Sequence, residues 1–431
     1  MHVELENIGC FGHARLDFAR REGAGAAGGR RATVVLGAGG SGTTTLLRAL
    51  ALGLTPARTA AALAAEVPWL VSGHRRRGQR GRVRVELADP GAPQQRFAVT
   101  TEFALGAGGA VQVTQVTEPA RGFPWRRLFV CGYGVGRGLR ARTPGRTHQP
   151  RAALRSLFVE GAPLWAPGAA LAGLGQTDGD DGRRRERALA HLAALAGVRG
   201  RGAVTLAGEV LEVRGPWGAA GFAALGTGHR DLLSWLVDLL ARADRAGALD
   251  GRARPAGIVL IDAVDAHLPP ARQRRLLAEL GQRFPALQVV AAARSPLTIV
   301  ECEPGGVVAC RVVGRGAVID ADLPSPAGYH ADEILRGPWF GLAATVDEAT
   351  AARVADYRAA VALGAPEAER VRLREAVRER LGHLVDTPLD ELVREVVAAL
   401  VEERGAPGED DRRWRSEALR WLRRRLEEPD A

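Results

Sequence analysis

The chain has 431 residues, room for two or three domains, and its 46% hydrophobic and 25% charged content is ordinary for a globular protein. It lacks any apolar run long enough to span a bilayer and opens directly into a strand-like pattern, so the sequence predicts no membrane anchor and no signal peptide, and a cytoplasmic protein. It contains no lysine, so all 59 basic residues are arginine; the formal charge of +10 either attracts nucleic acid or an acidic partner, or reflects arginine scattered over the surface by a GC-rich bacterial genome.

In chain order, residues 2–18 alternate as a half-buried strand and return through a Gly/Arg-rich turn. Thr33-Val34-Val35-Leu36 reads as a short buried strand, a glycine-rich loop follows, and residues 44–54 continue as an apolar helix. Residues 82–105 alternate as strands of a small antiparallel sheet. Residues 141–200 are rich in Arg, Gly and Ala, with helix patterns from Ala152 and over 184–196, and read as a helical insertion between two halves of one core, 1–140 and 201–325. In the second half, strand alternation over 204–213, a helix over 230–243, a buried strand over 257–261, a helix over 272–283 and a buried strand over 287–292 imply a mostly parallel sheet covered on both faces. Residues 326–431 form a helical C-terminal region of three or four helices, with breaks at Gly364, Pro388 and between Gly405 and Gly408. Cys10, Cys131, Cys302 and Cys310 form no CxxC or Cys/His cluster and read as reduced core thiols.

Two stretches carry chemistry. The loop Gly37-Ala38-Gly39-Gly40-Ser41-Gly42-Thr43-Thr44-Thr45 matches the glycines and terminal hydroxyl of G-x-x-x-x-G-K-[ST], in the strand–loop–helix context such a loop needs. Its glycines let successive backbone N–H groups converge on an anion, and Thr44 offers a hydroxyl to Mg²⁺. Thr43 stands at the lysine position, so the ammonium that reaches the β- and γ-phosphates is missing. One charge-assisted hydrogen bond of about 1.5–3 kcal/mol, roughly 10- to 150-fold in affinity, goes with it. The second stretch, Ile258-Val259-Leu260-Ile261-Asp262-Ala263, leads four apolar residues into a carboxylate. Asp262 reads either as a Mg²⁺ ligand or as a structural carboxylate, and Ala263 next to it does no acid–base work.

With these residues in place, the chain resembles bacterial ABC-type ATPases of the SMC/RecF/OLD kind, in a group that includes anti-phage defence components of Septu and retron systems. The resemblance runs in order over roughly residues 1–380. It rests on Tyr133-Gly134-Val135-Gly136-Arg137, on Leu225-Gly226-Thr227-Gly228 against a Leu-Ser-x-Gly signature, and on Asp262 through Asp265, His267 and Leu268. Phe284, Pro285, Gln288, Ser295 and Pro296 continue it, as does Asp332-Glu333-Ile334-Leu335 with Phe340-Gly341-Leu342. It implies an α/β ABC-type P-loop core, mostly parallel with an antiparallel subsheet, a composite nucleotide site shared across a homodimer or higher oligomer, and ATP or ADP with Mg²⁺ as the ligand. It also implies four departures: Thr43 for the lysine, Ala263 for the catalytic glutamate, Arg294 for the switch histidine and Gly226 for the signature serine. Four positions changed together point to natural loss rather than a designed mutant.

The expectation is therefore a pseudo-ATPase: a structural or regulatory subunit beside an encoded partner, such as a nuclease effector or an active ATPase, in a defence complex. The alternatives are a slow or partner-assisted ATPase and an arginine-rich nucleic-acid clamp. Arg294 reads as a stand-in cation or a packing residue, and His267 as a loop-capping residue or a ligand. Arg412, Arg413, Arg415, Arg423, Arg424 and Arg425 surround a helix stripe of Trp414, Ala418, Trp421 and Leu422, read either as a docked helix with a solvated basic face or as a phosphate or acidic-partner contact.

Overall fold

The computed structural model describes residues 1–18, 32–72, 80–89, 92–106, 110–120, 123–138, 140–175, 182–200 and 202–381. The arginine-rich stretch from Arg412 to Arg425 and the last expected helices lie outside these residues. Contacts divide the chain into two compact units, Met1–Leu342 and Ala343–Ala431.

The first unit begins with a hairpin, β1 (His2–Ile8) and β2 (Phe11–Asp17), followed by β3 (Ala32–Gly37), α1 (Thr43–Gly53), α2 (Ala57–Ala64) and α3 (Pro68–Ser72). The strands β4 (Gly81–Asp89), β5 (Ala92–Leu105) and β6 (Val111–Glu118) come next, then β7 (Val130–Tyr133), β8 (Ala141–Arg142), α4 (Pro150–Phe158), β9 (Leu164–Trp165), α5 (Pro167–Ala172) and α6 (Arg183–Ala196). A small three-stranded sheet, β10 (Val204–Ala207), β11 (Val210–Gly215) and β12 (Gly218–Gly221), precedes α7 (Thr227–Arg245). The unit closes with β13 (Gly257–Ile261), α8 (Pro270–Arg283), β14 (Leu287–Ala292), β15 (Val307–Val313), β16 (Gly316–Asp320) and α9 (Ala331–Arg336).

The central sheet runs β16-β15-β3-β14-β13-β7. All its pairings are parallel except that of β15 with the edge strand β16. A second, antiparallel sheet runs β2-β1-β4-β5-β6. The expected fold class, α/β with a mostly parallel sheet and an antiparallel subsheet, is the one observed. The continuous apolar runs of β3 and β13 follow from burial on both faces. Val34, Leu36, Val259 and Ile261 point into one core with α5, α6, α7 and α8, while Val35, Ile258 and Leu260 point into another with α1, α4 and the antiparallel sheet. Helix α1 packs against strands of both sheets. Among the described residues no helix is long and apolar enough to cross a membrane.

The alternation over 204–213 resolves into two strands, because Gly208 at φ 59° turns the chain back between β10 and β11. Strands β6, β15 and β16 and helix α2 belong to the structure without having stood out in the sequence. In the second unit, α10 (Glu348–Ala362) and α11 (Glu367–Leu381) are separated at Gly364, where φ is 65°. Asp347 caps α10 by accepting from the Thr350 N–H at 3.1 Å, and Arg380 reaches Asp347 at 3.3 Å, which returns α11 to the start of α10.

Candidate functional site

The glycine loop leaves β3 and closes onto the first turn of α1. Gly37 admits no side chain: a Cβ there would sit 2.0 Å from Ser41 Oγ and 3.0 Å from the Cys310 carbonyl. Gly42 caps α1 at φ 99°, where a Cβ would meet Cys10 Sγ at 2.5 Å and the Phe11 ring at 2.9 Å. Gly39 and Gly40 are exposed with open space beside them, and Gly40 adopts φ 83°. Two glycines are thus required by close packing, while the other two keep the loop low against whatever approaches it. Ser41 is buried, and its hydroxyl has no hydrogen-bond partner among the described residues. Thr43, Thr44 and Thr45 form the first turn of α1, whose unpaired N–H groups and dipole favour an anion.

Asp262 ends β13 two strands away from β3, with β14 between them. The sheet nevertheless brings the two motifs together: Thr44 Oγ1 donates to Asp262 Oδ2 at 2.6 Å. A hydroxyl and a carboxylate in contact at the mouth of the loop are the oxygen pair that Mg²⁺ takes when phosphates complete its shell. The described residues hold no group of three or more His, Cys, Asp or Glu suited to a metal, so a cation here would rely on a phosphate ligand.

Asp262 is held from behind. Its N–H donates to the Tyr133 carbonyl at 2.8 Å, while its own carbonyl and that of Ala263 accept from Arg137, the latter at 2.8 Å. Arg137 is buried, pairs with buried Asp231 of α7 at 3.2 Å, and donates to the Gly134 carbonyl at 3.2 Å. Burial pulls the Arg137 guanidinium below its ordinary value, opposed first by Asp231 and then by Asp262. This clamp holds Ala263 at φ 45°, a left-handed backbone that an alanine rarely adopts. The next carboxylate, Asp265, accepts from the backbone N–H groups of Arg294 at 2.9 Å and Ser295 at 2.6 Å, tying the end of β14 to the turn after β13. His267 is exposed at φ 60°, and its carbonyl lies where a Cβ on Gly228 would be, 2.3 Å away.

A cavity of about 460 Å³ lies over the loop, lined by Gly37 through Gly40 and Gly42 through Thr45, and also by Gly9, Cys10, Trp69 and Arg294. Thr43 and Arg294 are both among the residues that line it. Gly226 caps α7 and does not line this cavity. Cys10, expected as a core thiol, is half-buried and lines the cavity instead, while Gly9 and Trp69 escaped the sequence reading because they reach the loop only through tertiary packing. Arg48 escaped it as well: one turn beyond Thr44, its Nε donates to the Leu157 carbonyl at 2.8 Å, and burial lowers its basicity against the pull of Asp262. Its spacing of four from Thr44 is the one signal that a helix reading offers.

A strand, glycine loop and helix facing a carboxylate at the end of a buried strand two places away, beside an antiparallel sheet, form a strand–loop–helix arrangement of P-loop type. Over 93 residues the chain is 36% identical to the Septu protein PtuA of Bacillus mycoides (strain KBAB4), a match covering 21% of this chain and 13% of that protein. No protein-family model matches the chain. Among solved structures, the SMC head domain from Thermotoga maritima aligns at TM-score 0.43 and 12% identity over 75% of this chain and 97% of that one. An SMC head bound to the C-terminal winged-helix domain of ScpA aligns at TM-score 0.48 and 10% identity, over 74% and 96%.

Proposed function

We propose that this chain is an ABC-type subunit that binds nucleotide without hydrolysing it and serves as a structural or regulatory part of a bacterial anti-phage defence complex in the cytoplasm. The observation that carries this reading is the pairing of a loop that keeps its glycines and Thr44 with a disarmed carboxylate strand: Thr44 meets Asp262 at 2.6 Å, while Ala263 follows where a water-activating carboxylate would be needed. Magnesium held between Thr44, Asp262 and the phosphates would neutralise charge on the ligand. The loop amides and the N-terminus of α1 would orient the phosphates, and Ala263, next to Asp262, offers no base to activate water. The similarity to a Septu protein supports the defence setting, with a second copy of this chain and a separate effector, such as a nuclease or an active ATPase, as partners.

Equilibrium binding of Mg-ATP to the full chain tests this, with phosphate release measured alongside and a Gly42→Asp variant, checked for folding by thermal melting, as control. Binding abolished in the variant, with no phosphate release above a blank, is the expected result. Absence of binding at millimolar ATP overturns it and leaves the fold serving through its surfaces alone.

Arg294 favours a second reading, a slow ATPase in which its guanidinium replaces the missing lysine, because it lines the loop cavity. Turnover that disappears in Asp262→Asn would establish that reading instead. The third reading, a nucleic-acid clamp through Arg412, Arg413, Arg415, Arg423, Arg424 and Arg425, requires duplex binding that falls steeply with salt.

A further inference from the structure

The wall of the loop cavity carries an aromatic ring that the phosphate chemistry does not use. Trp69 is 51% exposed, yet its helix is firmly held: Leu70 and Val67 are buried, and the Gly9 N–H donates to the Leu70 carbonyl at 2.8 Å, fixing α3 to the β1–β2 turn. The Arg48 guanidinium stands over the ring, 5.8 Å from its centroid, and is itself anchored on the Leu157 carbonyl. With a cation over one face, the other face is the one left to a ligand. A half-exposed tryptophan on a rigid support, in a cavity whose volume of about 460 Å³ exceeds what a phosphate group fills, is a surface prepared for a flat partner.

We propose that Trp69 is a base-stacking platform, so that the ligand of this site is a nucleoside triphosphate recognised through its base as well as through its phosphates. The inference rests on the nucleotide-binding reading above and deepens it. With Thr43 in place of lysine, the loop contributes amide donors but no charge of its own, and base stacking then carries a larger share of the recognition. Stacking is tolerant of base identity, because every base presents a π-face. The site therefore prefers nucleotides over inorganic polyphosphate while distinguishing adenine from guanine only weakly.

The test compares equilibrium binding of ATP, GTP and inorganic tripolyphosphate, each with Mg²⁺, to the full chain and to its Trp69→Ala and Trp69→Phe variants, with thermal melting as the folding control. The expected result is ATP and GTP within a few-fold of each other and both about 10-fold or more tighter than tripolyphosphate. Trp69→Ala should bring ATP to the tripolyphosphate level, and Trp69→Phe should keep most of the difference. Unchanged ATP affinity in Trp69→Ala, or tripolyphosphate as tight as ATP in the parent chain, overturns the platform and leaves the nucleotide site standing. Failure of all three ligands to bind at millimolar concentration overturns the nucleotide reading and the platform with it.

Discussion

Arg137 shows how much of this site is organised by a residue that does not line its cavity. Its guanidinium serves three backbone carbonyls and the Asp231 carboxylate, with side-chain exposures of 1% and 8% across the ion pair. Removing one partner of a buried pair strands the other, at a cost of about 3–5 kcal/mol. Arg137→Ala should therefore lower the unfolding free energy read by urea denaturation by that amount and weaken ATP binding, since the backbone carrying Asp262 loses its support. The double change Arg137→Ala with Asp231→Ala should recover part of the stability, because no lone charge then remains buried. A single variant within about 1 kcal/mol of the parent would show that the clamp is not structural. The family resemblance singled out Arg137, but its carbonyl acceptors are main-chain oxygens, which carry no side-chain signature.

At the scale of elements, what was legible is what local chemistry dictates. Thr33-Val34-Val35-Leu36 and Ile258-Val259-Leu260-Ile261 read as buried strands because both faces are covered, and the loop announced itself through its glycines. The hairpin at Gly208 was not legible, because two alternating strands joined by a two-residue turn look like one longer strand. The cavity wall formed by Gly9, Cys10 and Trp69 was not legible either, since the β1–β2 turn and α3, far apart in sequence, meet there. Gly228 supplies the prediction at this scale. It lies in the first turn of α7 against the His267 carbonyl, so Gly228→Ala must push the helix away from the turn that follows Asp262. Overpacking of this kind costs about 1–3 kcal/mol, readable by chemical denaturation. A neutral outcome would mean that the start of α7 is free to slide.

Taken whole, the molecule concentrates its proposed nucleotide site in one of its two units. Both apolar cores, the glycine loop, Asp262 and Arg294 all lie within Met1–Leu342. A chain ending at Leu342 should accordingly melt as a single cooperative transition and bind Mg-ATP within a few-fold of the full chain, measured by calorimetry and equilibrium binding. A large loss of affinity would assign part of the site to residues beyond Leu342. The basic character that suggested nucleic acid remains a property of the chain as a whole, with a formal charge of +10 and no lysine.

The position of α1 between the two sheets has a mechanical consequence. Its N-terminal turn belongs to the loop, while its body packs against β1, β4 and β5 as well as β3, β13 and β14. A rod seated in two beds transmits a push at its tip to both. Whatever fills the loop therefore meets the tip of a helix that both sheets hold in place.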